Sequence, residues 1–421
     1  MLVAKSKIAV VLALSSLTWI TGRISVDAHH FYAVRLFKTY TNRDYRFHQK
    51  NSPSKLFRNL TSEISNFSAV ILFQLLSIFV EISVLLSIFL FIYFIEPKII
   101  FVILILVLII SLVYLITKKI LKLYGDKRVF FEDKRIAVIQ NTFEVIKDII
   151  IYDISKIFTK NFDYSNYNLQ KAGFVVKIVN ALPRYLFEIT GVLILVVTIF
   201  LFSDSEKNNT FQIIGLFLLA AFRAMPSVSK LASTFQQLTF LKPSLQIVHS
   251  ELFTKYKSEV DKSKKIEDII FKKKINIKNV SYTYPSTNKS KETLLLNNIN
   301  CQIYKGDKIG IEGESGFGKS TFADLLLGLI QPNKGSIKID NKILNLKNSK
   351  VWRKKISYVG QKVTLLNGDI RENIILDKKY DKSKFLEVIT KCKMLNLYNK
   401  RKRDNNITNQ MTNKISGGEA Q

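Results

Sequence analysis

The stretch of sequence that decides the fold reads Gly313-Glu314-Ser315-Gly316-Phe317-Gly318-Lys319-Ser320-Thr321. It has the G-x-x-x-x-G-K-S spacing of a phosphate-binding loop, and it lies between a predicted short buried strand, residues 308–312, and a predicted apolar helix, residues 322–329. The glycines let the backbone curl so that its N–H groups point at phosphate oxygens, and the helix N-terminus adds partial positive charge. The pattern therefore predicts that Lys319 reaches the β- and γ-phosphates of a nucleotide and that the Ser320 hydroxyl ligates Mg²⁺.

The sequence before this loop alternates in the manner of β-strands. Strands are predicted at residues 275–284 and 298–304, with a turn at 285–288 between them. A charged stretch at 257–274 predicts a linker. We therefore expect a nucleotide-binding domain at 275–421, joined by this linker to a domain at 1–256.

A second motif, Ile415-Ser416-Gly417-Gly418-Glu419, lies well downstream of the loop. Ser-Gly-Gly alone is typical of an ordinary loop. Both motifs in one domain, however, resemble the ABC transporter family, whose signature reads Leu-Ser-Gly-Gly-Gln/Glu, and the resemblance covers nearly the whole chain. It implies that Ser416, Gly417, Gly418 and Glu419 act in trans and cap the γ-phosphate of the ATP held by the opposite subunit.

Further segments carry the same resemblance. Tyr358-Val359-Gly360-Gln361 resembles the family's Q-loop, whose glutamine touches Mg²⁺, and residues 368–374 match the exporter pattern. Tyr284 stands where the family places an aromatic that stacks on adenine; the alternative is a tyrosine packed at a strand end. The resemblance implies ATP and Mg²⁺ as cofactors and Ser320 and Gln361 as metal ligands. The implied ATP-binding residues are Tyr284, Gly313, Glu314, Ser315, Gly316, Phe317, Gly318, Lys319, Ser320, Thr321 and Gln361.

The first half of the chain contains apolar segments long enough to cross a bilayer, which takes roughly 20 residues of helix. The predicted spans are residues 69–94, 99–116, 185–202 and 211–222, with a weaker candidate at 8–24. The long connections 23–68 and 118–184 are basic, whereas those at 96–98 and 203–210 are short, so the long ones are predicted to be cytoplasmic. Apolar residues at helical spacing between 126 and 166 predict helices that continue from the membrane into the cytoplasm.

Some features of this half leave alternatives open. Glu81 and Glu188 are costly in lipid, so each faces a cavity or a partner, or lies at a helix–helix contact with a hydrogen-bond partner. Span 8–24 must run from outside to inside, which predicts a missing earlier span; a signal peptide is the alternative. Residues 47–61 resemble the first cytoplasmic loop of type-1 ABC exporters, and 183–185 and 223–226 resemble bacterial flippases for lipid-linked oligosaccharides.

The chain also departs from the family pattern. It ends at Gln421, before the Asp-Glu pair and the His that the family uses for hydrolysis. No catalytic residue is therefore predicted within it, and we expect weak nucleotide binding with negligible hydrolysis. The alternatives are a non-catalytic partner, a gene remnant or an incomplete gene fragment. Phe317 replaces a small residue in the loop, Gly360 replaces a proline, and residues 409–412 lack the Gly-Glu-x-Gly element of exporters.

The net charge and the cysteine and histidine counts bear on possible nucleic-acid, disulfide and metal-binding roles. The formal net charge of +30 would suit a nucleic-acid surface, but the basic residues are scattered and no nucleic-acid motif accompanies them. We therefore attribute the charge to a Lys/Asn/Ile-rich genome and basic membrane-flanking loops, and expect no nucleic-acid partner. Cys301, Cys392 and four histidines lack the number or spacing for a disulfide framework or a metal site.

Together these observations predict an all-α transmembrane domain of the type-1 ABC exporter kind, with about five of six spans, followed by an incomplete α/β P-loop nucleotide-binding domain. The resemblance implies an ATP-driven exporter or flippase subunit that dimerises in the bacterial inner membrane. The implied partners are a second half-transporter, expected to be an identical copy, membrane lipid, and an amphipathic cargo such as a lipid or lipid-linked oligosaccharide. A peptide or drug cargo is the alternative.

Overall fold

The chain folds into two compact units, residues 1–258 and 259–421. The computed structural model describes residues 2–94, 100–201, 207–253, 268–284, 294–361, 365–366, 369–376, 379–396 and 398–399. The signature motif 415–419, the predicted turn 96–98 and most of the predicted linker lie outside the described residues.

The first unit is helical throughout its described length. Its helices are α1 (Leu2–Thr41), α2 (Tyr45–Lys50), α3 (Pro53–Arg58), α4 (Phe73–Tyr93), α5 (Ile100–Glu144), α6 (Ile146–Ile151), α7 (Ser155–Leu201), α8 (Lys207–Phe240) and α9 (Lys242–Leu252). Two π-helical segments, Asn59–Glu63 and Asn66–Leu72, connect α3 to α4. The second half of the predicted turn at 203–210 is wrong, because α8 already begins at Lys207.

Helices α5 and α7 are 45 and 47 residues long. At 1.5 Å per residue each measures about 70 Å, more than twice the hydrocarbon thickness of a bilayer. Each helix is therefore too long to lie within a bilayer over its whole length, and the helices predicted from the spacing between 126 and 166 are observed at the end of α5, in α6 and at the start of α7. Among the described residues, the helical stretch Pro53–Leu90 is long and apolar enough to cross a membrane by length and composition.

The core of this unit is formed where α1, α5, α7, α8 and α9 meet the π-helical segments. Ser52 caps α3 by accepting a hydrogen bond from the backbone N–H of Lys55, and Pro53 occupies the first turn, where no N–H partner is required. The buried apolar side chains are Leu36, Tyr40, Ile64, Phe67, Ile71, Leu121, Val176, Val179, Phe240, Leu241 and Val248. At Gly125 a Cβ would lie 2.4 Å from the carbonyl oxygen of Phe240, so α5 and the end of α8 meet in a backbone contact that excludes any side chain.

A row of polar contacts joins α4 and α8. The Gln74 amide donates to the Gln237 side-chain oxygen at 2.8 Å, and the Thr234 hydroxyl donates to the Gln74 oxygen at 2.7 Å. Two turns along α4, the Glu81 carboxylate accepts a hydrogen bond from Lys230 at 2.7 Å. Of the two interpretations given to Glu81, the structure therefore supports a helix–helix contact. Glu188 instead pairs with Arg184 on its own helix at 2.9 Å, with both side chains exposed.

A second polar cluster lies entirely inside the helical unit. Glu63 is fully buried and its carboxylate faces Arg128 at 2.9 Å and Arg58 at 3.7 Å. The Arg128 guanidinium also donates to the Ser244 hydroxyl at 2.7 Å, and Arg58 lies 3.3 Å from Asp133. These contacts connect the π-helical segment 59–63 to α3, α5 and α9 through charged groups.

The second unit contains a four-stranded antiparallel sheet in the order β2-β1-β3-β4, with β1 at Lys274–Thr283, β2 at Leu294–Tyr304, β3 at Lys334–Ile339 and β4 at Lys342–Ile343. Ile277 pairs with Cys301 on one side and with Ile337 on the other. Its described helices are α10 (Lys319–Leu326), α11 (Ser349–Arg353), α12 (Ile370–Ile375) and α13 (Lys382–Lys391). Alternate residues of β1 and β3 pack with Leu325 and Trp352 into the core of this unit.

The buried strand predicted at residues 308–312 is wrong. These residues are exposed and lie outside the sheet, since no described strand pairs with them. A strand of this apolar type is buried only when neighbours cover it on both sides. The sheet that forms instead contains β1 and β2 together with β3 and β4, and the predicted turn at 285–288 lies outside the described residues.

Candidate functional site

The phosphate-binding motif forms a loop that leads directly into helix α10. Gly316 and Gly318 have positive φ angles of 95° and 87°, a conformation that favours glycine. A Cβ on Gly318 would lie 3.0 Å from a methyl group of Leu296 and 3.1 Å from Leu295, so strand β2 also leaves no room for a side chain there. The loop therefore needs glycine at this position for both conformation and space.

The Lys319 ammonium group bends back over the loop. It donates hydrogen bonds to the carbonyl oxygens of Gly313 and, at 3.0 Å, of Glu314. The first turn of α10 has no acidic residue to compete for this cation. A positive side chain, a helix N-terminus and a glycine-lined backbone thus meet at one place, which is the donor set that a polyphosphate requires.

The two residues after the lysine face different environments. Ser320 is exposed, so its hydroxyl is available to a ligand, whereas Thr321 is 4% exposed and points into the unit. Phe317 is also exposed, so the aromatic side chain at this unusual position causes no crowding within the loop. One turn further along α10, burial raises the pKa of Asp324.

Tyr284, predicted as an adenine-stacking residue, lies beside this loop at the end of β1. Its hydroxyl and the Thr321 hydroxyl are 3.0 Å apart and share a hydrogen bond. Its ring meets the buried ring of Tyr282 edge to face, with centroids 5.2 Å apart. The structure thus brings Tyr284 together with the loop.

The other predicted site residues are less informative. Gln361 is exposed at the end of the stretch that follows α11. Gly368 and the signature residues Ser416, Gly417, Gly418 and Glu419 lie outside the described residues. Their roles, and the metal roles of Ser320 and Gln361, stay predictions.

Sequence reasoning missed the residues that hold the far end of α10. The Trp352 indole N–H donates to the carbonyl of Leu326 at 2.8 Å, and Arg353 donates to the carbonyl of Gly328 at 2.8 Å. Helix C-termini leave carbonyl groups without partners, and these two side chains from α11 satisfy them. No local pattern predicts this contact, because α11 lies more than 20 residues further along the chain.

Comparison with known proteins assigns both units. Residues 8–224 match the family model for the ABC transporter transmembrane region. Residues 296–421 match a second family model, described as ABC transporter. The first match alone covers just over half of the chain. The chain therefore belongs to the ABC transporter family, and the prediction of a helical membrane region followed by an ATP-binding domain is confirmed.

Relatives place the chain among exporters. It is 24% identical over 380 residues to the ATP-dependent lipid A-core flippase of Wigglesworthia glossinidia brevipalpis, which covers 88% of this chain and 62% of the flippase. It is 29% identical over 215 residues to the multidrug resistance-like ATP-binding protein MdlB of Buchnera aphidicola, which covers 51% of this chain and 36% of that protein. The chain thus spans less than two thirds of the length of these relatives.

A solved structure shares the fold. The structure of a bacterial Atm1-family ABC exporter with ATP bound superimposes with a TM-score of 0.78, covering 94% of this chain and 69% of that one at 14% identity. The predicted exporter architecture, in which one polypeptide carries a membrane region and an ATP-binding region, is confirmed at the level of fold.

Proposed function

We propose that this chain is a subunit of an ATP-driven exporter that moves a lipid or lipid-linked oligosaccharide across the bacterial inner membrane, and that Mg-ATP binds between two such subunits. The loop at 313–319, with Lys319 bent over it, carries the proposal, because it lies in a chain whose other unit is an ABC membrane region. The similarity to a lipid A-core flippase over 88% of the chain supports an amphipathic, lipid-like cargo. Both relatives above are bacterial, which supports the membrane proposed.

In this proposal the chain's own residues divide the work. The backbone N–H groups of the loop and the Lys319 ammonium bind phosphate oxygens. To do so, the ammonium gives up its hydrogen bonds to two carbonyl oxygens and donates to the anionic phosphate oxygens instead. The exposed Ser320 hydroxyl and the Gln361 side chain hold Mg²⁺, and the Tyr284 ring stacks on the base. Residues 416–419 of one copy cap the nucleotide of the other. These residues bind and orient the nucleotide, whereas the Asp-Glu pair and the His that the family uses for phosphoryl transfer are not among residues 1–421.

Nucleotide binding tests the proposal directly. The intact protein in lipid nanodiscs should bind Mg-ATP, and Lys319→Ala should weaken binding about 10- to 100-fold, because a charge-assisted contact is lost. Lys350→Ala is the matched control, since Lys350 is exposed on α11 and outside the loop. Equal affinity of the wild type and Lys319→Ala, or no binding by either, would contradict the proposed site.

The cargo requires a separate measurement. Proteoliposomes in which residues 1–421 are completed by a segment carrying the family's Asp-Glu pair and His should translocate a fluorescent lipid-linked glycan when Mg-ATP is outside, and Lys319→Ala should abolish this. A fluorescent peptide of similar size serves as the competing cargo. Transport of the peptide without transport of the glycan would exclude a lipid-like cargo while leaving the exporter assignment intact. Crosslinking of exposed single cysteines would measure whether two copies form the working unit.

A further inference from the structure

Two parts of the proposed nucleotide site come from distant segments of the chain. The phosphate-binding loop precedes α10, whereas Tyr284 follows strand β1, 37 positions before Thr321. A nucleotide that touches both parts is held well only if the distance and orientation between them are fixed before it binds, because ordering groups during binding costs free energy. The relative position of the loop and Tyr284 therefore depends on the contacts that connect them.

The direct connection is the hydrogen bond between the hydroxyls of Tyr284 and Thr321, at 3.0 Å. Thr321 lies in the first turn of α10, two residues after Lys319, and is 4% exposed. Its hydroxyl is therefore anchored in the body of the unit and cannot follow a moving tyrosine into solvent. Tyr284 is 39% exposed, so its ring remains accessible to a ligand.

The other end of the tyrosine is also held. Tyr282 is 2% exposed and presents an edge-to-face contact to the Tyr284 ring at an interplanar angle of 86°. The backbone N–H of Thr283, between them, donates to the Asn333 side chain at 2.8 Å. The ring of Tyr284 is thus supported at its base by a buried aromatic and tethered at its tip by Thr321.

We infer that Thr321 is a positioning residue for base recognition: its hydroxyl fixes the Tyr284 ring at a set distance from the phosphate-binding loop. This inference rests on the proposed ATP-binding function. In this arrangement Lys319 binds the phosphates, and the Thr321 hydroxyl orients the Tyr284 ring that stacks on the base. Stacking between a base and an aromatic ring depends on the distance and orientation of that ring, so a ring held in place favours base binding.

The test compares ligands with and without a base. Isothermal titration calorimetry on the intact protein in nanodiscs would measure the affinities of Mg-ATP and magnesium tripolyphosphate. Thr321→Val and Tyr284→Phe each remove one hydroxyl of the pair and should weaken Mg-ATP binding about three- to tenfold, as expected for one neutral hydrogen bond. Tripolyphosphate affinity should not change in Tyr284→Phe, because this ligand carries no base. The double variant should bind Mg-ATP no more weakly than either single variant.

Two controls separate positioning from a structural effect. Thr321→Ser keeps the hydroxyl and should restore most of the Mg-ATP affinity. Thr390→Val makes the same chemical change on exposed helix α13 and should leave both affinities unchanged. Unchanged Mg-ATP affinity in Thr321→Val, or equal losses for both ligands in Tyr284→Phe, would overturn the inference alone. If the wild-type protein bound neither ligand, the proposed function would fail, and this inference with it.

Discussion

Replacing Glu63 by alanine should destabilise the helical unit far more than the removal of an exposed acidic residue. Glu63 is fully buried in the π-helical segment 59–63, and its carboxylate lies 2.9 Å from the guanidinium of Arg128 and 3.7 Å from that of Arg58. The side chains of these arginines are 11% and 6% exposed. Alanine would leave two buried cations without their shared counter-ion.

The loss of stability depends on which hydrogen bonds and ion pairs the two arginines retain. Breaking a buried ion pair by removing one partner costs about 3–5 kcal/mol. Arg128 retains the Ser244 hydroxyl at 2.7 Å, and Arg58 retains Asp133 at 3.3 Å, so the loss should fall near the lower end of that range. With roughly 2–4 °C per kcal/mol for a unit of this size, the apparent melting temperature should drop by about 6–12 °C.

Asp27→Ala is the matched control. Asp27 also pairs with an arginine, Arg23, at 3.8 Å, but the two side chains are 70% and 66% exposed, so the pair should contribute at most about 1 kcal/mol. Differential scanning fluorimetry in one detergent at one scan rate would compare the variants, since unfolding of such a protein is expected to be irreversible.

A double variant tests the same ion pair by removing both of its charges. Glu63→Met with Arg128→Met removes both charges of the closest pair and replaces them with apolar side chains. It should lose less stability than the sum of the two single methionine variants, because neither charge is left buried alone. The reasoning is wrong if Glu63→Ala melts within error of Asp27→Ala, or if the two methionine substitutions add.

Two further predictions follow from single positions. Gly125→Ala should destabilise the helical unit by about 1–3 kcal/mol, because its Cβ would meet the carbonyl oxygen of Phe240, whereas Gly173→Ala, with no atom within 4 Å, should be neutral or slightly stabilising in the same melting assay. In the second unit, the backbone N–H groups of residues 272–274, that of 272 above all, hold the pKa of Asp340 below its usual range. A depressed folded pKa gives stability that is present above the unfolded pKa of about 3.9 and is lost as the pH falls through the folded value. The free energy of unfolding measured in denaturant should therefore fall below about pH 4. Asp340→Asn, which suits the same positive φ, should reduce that acid-dependent loss without abolishing it, because the pKa values of Asp268 and Asp381 are lowered too; an unchanged pH profile would contradict this.

The sequence predicted well those features that depend on neighbouring residues. The phosphate-binding loop is determined by glycines and a lysine within nine positions, and the helix predicted after it at 322–329 is observed three residues earlier, as α10 at Lys319–Leu326. The long helices follow from apolar periodicity that is equally local. Strand 308–312 failed for the opposite reason, because five apolar and charged residues in a row cannot show whether other strands will cover them.

Contacts between distant segments were beyond the reach of the sequence. The hydrogen bond from Tyr284 to Thr321 joins residues on either side of a 37-residue separation, and the contact from Trp352 to Leu326 joins two helices. Both involve residue types that are common in any core. Only the three-dimensional arrangement of β1, α10 and α11 distinguishes these side chains from others of the same kind.

The two acidic residues in the predicted spans show where this limit lies. Glu188 has an arginine four residues before it on the same helix, so its counter-ion could be found in the sequence and is found there in the structure. Glu81 has Ser77 and Leu85 at the corresponding positions, neither of which is a cation. Its charge must be compensated from another helix, and Lys230 provides this at 2.7 Å. Gln74 and Gln237 meet seven residues away on both helices, so the two contacts fix the same antiparallel register of α4 and α8. A one-turn slip would leave Glu81 without its partner in an apolar segment, which is costly. An acidic residue with no local counter-ion therefore predicts a fixed helix–helix contact, although it does not say with which residue.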